Sequence, residues 1–348
     1  MYQKNSGQTR KIQFTGKSTY IVSLPKNWIV QNQLQKGSEI QLIEEENGSL
    51  SIIPNYANIS QKKPESTTIM VSSKDSSNTI IRKTVSAYLV GHNLLHIRSK
   101  EKSELSSKQR STLKEFSRKM LVGTEIVTDT KNELILQVLL SYPELSVQSA
   151  LRRMSIITAS MQRDVMIALK NADKQQAKEV LIADSEVDRF HLYIIRQLKT
   201  AIQNPRIIKE IGLNTARDCL GYRLITKSVE RTADHASSIA KNILLLKTKL
   251  NKDTIENLEK MSEVAVSMFE TAIESLFRQD YALAESIIEK IKDVITVENK
   301  AVISLQTIDS EDVPHVRLII ESIRRIAEYA SDIAEVILNL TIESVLFP

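Results

Sequence analysis

The period of the apolar positions changes as the chain proceeds, and each change marks a different kind of element. Over residues 1–54 short apolar runs alternate with turn residues, which predicts strands at 11–14 and 20–24, a short helix over 25–33, and strands at 39–44 and 50–53. Pro25 suits a first helical position, Gly37 suits the turn that follows, and Asn47-Gly48 is a strong hairpin signal. Residues 55–67 turn polar, with Lys62, Lys63 and Pro64, and read as a linker. Residues 68–144 read as a small α+β module: strand 68–71, helix 77–90 closed by Gly91, strand 94–98, helix 107–121 before Gly123, then strands 125–128 and 133–140. From about Leu145 onward the spacing is helical to the end, with short breaks at Asn204-Pro205 and near 251–254.

The helical part is written twice. Residues 227–243 (KSVERTADHASSIAKNI) and 321–337 (ESIRRIAEYASDIAEVI) lie 94 positions apart and share 8 of 17 residues, among them Arg231/Arg325, Ala233/Ala327, Ala236/Ala330 and Ile239/Ile333. Small residues and Ile at helical spacing mark a packing face, while acidic groups recur every four residues on a neighbouring face. A second match, at 107 positions, pairs Met154, Met161, Ala168, Asp173 and Ala177 with Met261, Met268, Ser275, Asp280 and Ala284. The two spacings differ, so one copy holds extra loop or helix. Two tandem three-helix bundles follow, over 145–250 and 251–348.

Composition narrows the class. With 42 % hydrophobic and 26 % charged residues among 348, the chain is an ordinary multidomain globular protein. The one cysteine, Cys219, can close no internal disulfide and has no second Cys for a zinc cluster; it reads as a buried small side chain. No apolar run approaches the roughly 18 residues of a membrane span, and residues 1–10 carry no signal-peptide core, so the expectation is a cytoplasmic protein without membrane insertion. Charge is unevenly placed: within residues 1–38 there are six basic side chains (Lys4, Arg10, Lys11, Lys17, Lys26, Lys36) and no acidic one. A phosphate backbone is the natural counterpart, with Arg10, Lys11, Lys17 and Lys26 as candidate DNA contacts, although solubility alone is an alternative use of such charge. Phosphate contacts position a protein without specifying a base. A segment this small buries little core by itself, and dimerisation is one way to supply the missing surface.

Glu230 and Asp234 stand at i and i+4, hence on one helix face, and Asp184 and Asp188 repeat that spacing on another helix. Oxygen-rich clusters between facing helices suit a divalent or trivalent metal ion such as Mg, Mn, Fe or Zn. The plainer reading is a solvated face paired with Arg189, Arg223, Arg231 and Lys227. In the second copy Glu321, Glu328 and Asp332 are the corresponding metal candidates, with Arg324 and Arg325 beside them to neutralise charge. His191 and His235 lie near these acids, and a lone helical histidine is more often a packing residue than a ligand. Gly16-Lys17-Ser18 echoes the tail of a phosphate loop, but Lys11 stands where its first glycine is required. No catalytic constellation emerges, and an enzyme is not expected.

The helix Glu230-Arg231-Thr232-Ala233-Asp234-His235-Ala236-Ser237-Ser238-Ile239-Ala240 resembles the E-R-x-x-D-H-A-x-x-I-A hallmark of the PhoU family of phosphate-responsive regulators, and Asp184 to Arg189 resembles that family's second acidic motif. The second copy departs from it, with Arg324 in place of Glu and Glu328 in place of Asp. Near the start, Thr15 to Thr19, Val22 to Lys26, Leu34 to Ile40 and Asn47-Gly48 are similar, in order, to the SpoVT/AbrB swapped-hairpin DNA-binding domain. The combination resembles an archaeal type of PhoU-like protein with its own DNA-binding head. The resemblance implies a small β-rich swapped-hairpin head, an α+β middle module and all-α tandem bundles. It further implies a homodimer formed through the N-terminal domain, a transcriptional regulator of phosphate uptake and homeostasis with a metal- or phosphate-responsive body, or alternatively an adaptor that restrains a phosphate transporter ATPase or a signalling kinase.

Overall fold

The computed structural model describes residues 8–16, 18–44, 48–54, 66–100, 104–140, 145–203 and 205–346. The chain divides into two compact units, Met1–Pro64 and Glu65–Pro348. The first holds two hairpins flanking one short helix. Strand β1 (Gln13–Thr15) pairs antiparallel with β2 (Thr19–Ile21), with Phe14 opposite Tyr20 and Gly16 turning the chain at φ 66°. Helix α1 (Lys26–Gln31) leads to the second hairpin, β3 (Ile40–Glu44) with β4 (Leu50–Pro54). Pro25 sits one place earlier than expected, as the N-cap at ψ 128°, because its carbonyl accepts from Ile29 and starts the helical ladder. The predicted strands slip by up to two residues at their ends, except that the strand expected at 20–24 stops three residues short, at Ile21; Asn47, Lys62, Lys63 and Pro64 lie outside the described residues.

The second unit begins with a four-stranded mixed sheet of order β5-β6-β8-β7. Here β5 (Ser66–Val71) runs parallel to β6 (Leu94–Ser99), and β8 (Glu133–Val138) is antiparallel to both β6 and β7 (Thr124–Asp129). Period-two alternation sends Ile69, Val71, Leu95, Ile97, Leu134 and Leu136 to one face, where Ile80 and Tyr88 of α2 (Ser77–Val90) and Leu113 of α3 (Ser107–Met120) complete a core. Ser76 caps α2, and Ser106 with Gln109 forms a capping box on α3. Strand β8 stops at Val138, short of the predicted 140, where the Val138 N–H makes a last bond in the β6 register to the carbonyl of Asn93.

The remainder is helical: α4 (Val147–Asn171), α5 (Lys174–Gln203), the short α6 (Pro205–Glu210), α7 (Asp218–Leu245), α8 (Lys252–Arg278), α9 (Tyr281–Ser304), α10 (Val313–Thr341) and α11 (Glu343–Leu346). Duplication extends to the backbone. Ala172 at φ 54° and Gln279 at φ 55° close α4 and α8 in the left-handed region, and Asp173 and Asp280 then accept amide hydrogens of the next helix. The two sequence spacings differ because α6 exists only in the first copy and α5 has 30 residues against 24 in α9. Helices α7 and α10, the repeated segments, run antiparallel: buried Asp312 at the start of α10 accepts from the Lys247 and Thr248 amides just past α7. At the opposite end, a Cβ added to Gly221 would lie 2.8 Å from Leu340.

One side chain fastens the sheet module to the helical body. Arg196 on α5 is fully buried, and its guanidinium donates to the carbonyls of Tyr88 and Gly91 (3.0 Å) and to Asn93 Oδ1 (2.6 Å) while lying over the Tyr88 ring. These carbonyls end α2, where the helix dipole favours a cation. Hydrogen bonds from a charged donor contribute about 1.5–3 kcal/mol each, so Arg196→Met should lower stability by about 3 kcal/mol or more in urea unfolding. An unchanged midpoint would show that the module is held by its apolar contacts alone.

Candidate functional site

In the first copy, α5 and α7 bring Asp184, Asp188, Glu230 and Asp234 within electrostatic reach of one another. Both helices present these acids at i and i+4, so each pair forms a short stripe and the stripes face across the helix contact. Burial first, and then Asp184, Asp234 and Glu230, push the Asp188 carboxyl up to about 6. Asp234 also rises to about 6, through burial and then Glu230 and Asp184, and Asp184 is raised chiefly by burial. Asp234 nonetheless remains open to solvent at the surface of α7, so screening moderates the energy behind its shift. His191 stands one turn beyond Asp188, its Nδ1 3.6 Å from Glu230 Oε1, and burial depresses it to about 4, which keeps the imidazole neutral. Lys227 pairs with Glu230. Arg189 meets Glu186 instead, at 3.7 Å.

The second copy gathers different partners. Glu321, Glu328 and Asp332 share α10 with Arg324 and Arg325. Arg324 reaches Glu321 (2.7 Å), Glu328 (2.5 Å) and Glu298 of α9 (3.5 Å), and Arg325 reaches Glu321 (3.3 Å) and Glu328 (2.8 Å). The arginine hydrogen bond holds Glu321 below its ordinary value, while burial raises Glu298 and Asp332. Glu298 escaped the sequence reading, yet it stands 107 positions after His191, the spacing already set by the methionine pairs. His235 stacks on Tyr329 at 5.7 Å between α7 and α10 and serves packing there.

Among the described residues no group of three His, Cys, Asp or Glu side chains is set to hold a metal ion as placed. The donor chemistry separates the copies all the same. The first crowds four carboxylates and a neutral imidazole near two lysines, Lys227 and Lys241, a set that fits a hard or borderline cation once side chains close. In the second, two guanidinium groups already pair with Glu298, Glu321 and Glu328. Two grooves of about 470 and 520 Å³ run between α4 and α8 and touch none of these residues.

In the head, Arg10, Lys11 and Lys26 are exposed, and none pairs with a carboxylate among the described residues; Lys17 lies outside those residues. Apolar side chains are exposed beside them, including Phe14, Tyr20 (73 %), Val30 and Leu42, and of the head's described residues only Pro54 is buried. Cys219 is buried on α7. Among the described residues no helix is long and apolar enough to cross a membrane.

Because their pKa values are raised on folding, Asp188 and Asp234 contribute stability that is complete below about 3.8 and lost as pH rises through about 6. Asp188→Asn should therefore stabilise the protein by about 1 kcal/mol at neutral pH, after allowance for screening, and give no gain near pH 4. Equal unfolding midpoints for the two proteins across this range would contradict the crowding.

The PhoU domain model matches residues 151–243 and 258–337, and the model described as antidote-toxin recognition MazE, bacterial antitoxin, matches residues 13–59. The latter agrees with the swapped-hairpin resemblance of the head. A phosphate-specific transport system accessory protein PhoU homolog of Borreliella burgdorferi is 29 % identical over 148 residues, which cover 40 % of this chain and 65 % of that protein. A homolog of the same description from Zymomonas mobilis is 24 % identical over 49 % of this chain and 73 % of its own length. The crystal structure of PhoU from Pseudomonas aeruginosa superimposes with a TM-score of 0.50 at 22 % identity, covering 56 % of this chain and 95 % of that one, which establishes the shared fold. The two helical copies are thus tandem PhoU domains, and the chain belongs to the PhoU family, with an N-terminal MazE/AbrB-like head.

Proposed function

We propose that this protein is a cytoplasmic, dimeric, DNA-binding regulator of phosphate uptake, not an enzyme. The observation that carries the reading is the union in one chain of a MazE/AbrB-like head and paired PhoU domains. The head binds DNA through Arg10, Lys11, Lys17 and Lys26. Its exposed Phe14, Tyr20, Val30 and Leu42 support a homodimer, since an apolar surface left open over a unit with one buried described residue is best covered by a second copy. In the helical body Asp184, Asp188, Glu230 and Asp234 hold a divalent cation, the effector being that cation or phosphate bound with it. Regulation requires the effector to bind the DNA-competent and DNA-incompetent arrangements with different affinity.

Fluorescence anisotropy of the full chain with its own upstream duplex and an unrelated one, over a salt series, tests the DNA reading. Preference for the upstream duplex is expected, with affinity falling as salt rises; Lys17→Ala with Lys26→Ala should weaken binding and flatten the salt slope by about 2. Absence of binding to either duplex would favour the other reading, an adaptor that restrains a phosphate transporter ATPase or a signalling kinase. That reading draws support from the accessory role in the names of the Borreliella and Zymomonas relatives.

A further inference from the structure

The two spacings of the duplication overlay the charged groups of the copies one by one. At 94 positions, Lys227 corresponds to Glu321, Glu230 to Arg324 and Asp234 to Glu328; at 107, His191 corresponds to Glu298, and Asp184 and Asp188 correspond to Ile291 and Ile295. The first copy centres an acid, Glu230, between Lys227 and His191. The second centres a base, Arg324, between Glu321 and Glu298, with Glu328 closing a third side. Charge is inverted at two of these positions, Lys227/Glu321 and Glu230/Arg324, and at the third the neutral His191 is replaced by the carboxyl group of Glu298, while the helix contact is retained. The acids that α5 adds to the first cluster are apolar on α9, where Ile295 is exposed and Ile291 packs against the core.

From this geometry we infer that Arg324 is the resident cation of the second PhoU domain, so that the chain takes one divalent cation, in the first domain, where a symmetric pair of domains would take two. The inference rests on the cation reading of the first domain. A guanidinium carries its charge at every physiological pH and offers five donors to the surrounding oxygens, so Glu298, Glu321 and Glu328 are satisfied without an exchangeable ion. Arg325 supplies a further guanidinium to Glu321 and Glu328. A divalent ion entering this cluster would have to displace a covalently tethered one.

Counting Mn²⁺ bound to the full chain, by electron paramagnetic resonance of the free ion, tests the inference. One equivalent is expected, lost in Asp188→Asn with Asp234→Asn and retained in Glu298→Gln with Glu328→Gln. Arg324→Glu, which restores the acid that the first domain has at this position, should raise the count by one. Two equivalents in the unmodified chain, or loss of its equivalent in the Glu298/Glu328 variant, would overturn the inference. A chain that takes none refutes the cation reading of the first domain, and Arg324→Glu then still decides: one equivalent gained upholds Arg324 as the resident cation, none gained overturns it.

Discussion

Close approach of α7 and α10 is the constraint on which the helical body depends. Ala233, Ala236 and Ala240 on one helix and Ala327, Ala330 and Ala334 on the other are all fully buried, together with Ile239 and Ile333. A helix face built from alanine lets two backbones approach closely, and a larger residue at these positions would force the axes apart. Helix α5 packs on α7 and α9 on α10, so each of the paired helices also carries the outer helix of its own copy. The antiparallel arrangement is fixed at its ends, by Asp312 bridging to Lys247 and Thr248 and by Gly221 under Leu340.

Duplication preserved that packing face and left the charged face free to diverge. Of the eight identities between α7 and α10, five are residues buried in both copies, whereas Lys227 and Glu230 are replaced by residues of opposite sign, Glu321 and Arg324. This is what energetics dictates. Altering a buried alanine strains the core of both copies, while a charged position can invert with little loss if its neighbours invert as well. Lys227 beside Glu230, and Glu321 beside Arg324, are such a concerted change.

Legibility in the sequence followed the range of the interactions. The sheet module, the hairpins and the long helices were readable because alternation, helical spacing and caps such as Ser76, Ser106 and Asn251 act over a few residues. Asp184, Asp188, Glu230 and Asp234 were readable as stripes, and the structure brings the two stripes together. Glu298 carried no local signal, because only the 107-residue offset relates it to His191 and the two side chains differ in kind. Arg196 left no signal at all: its partners are main-chain carbonyls and an amide some hundred residues earlier, and a buried arginine in a helical pattern looks the same as an exposed one.

Helix α5 joins these observations mechanically. It carries Asp184 and Asp188 in its first half and His191 and Arg196 in its second, and the interval from Asp188 to Arg196 spans about 12 Å at 1.5 Å per residue. A helix is stiff over that distance, so a shift or rotation of α5 that relieves the crowded carboxylates displaces the guanidinium that ends α2. The sheet module then has two courses, to move with α5 as one body or to give up its hydrogen bonds to Arg196. The second is costly for a buried charge, which makes rigid-body motion of the module the lower-energy response. Strand β5, the first element of that module, begins at Ser66, directly after the segment that leads from the head. A displacement of α5 at its carboxylates would therefore reach the sheet module through Arg196, without any need for the second cluster to change.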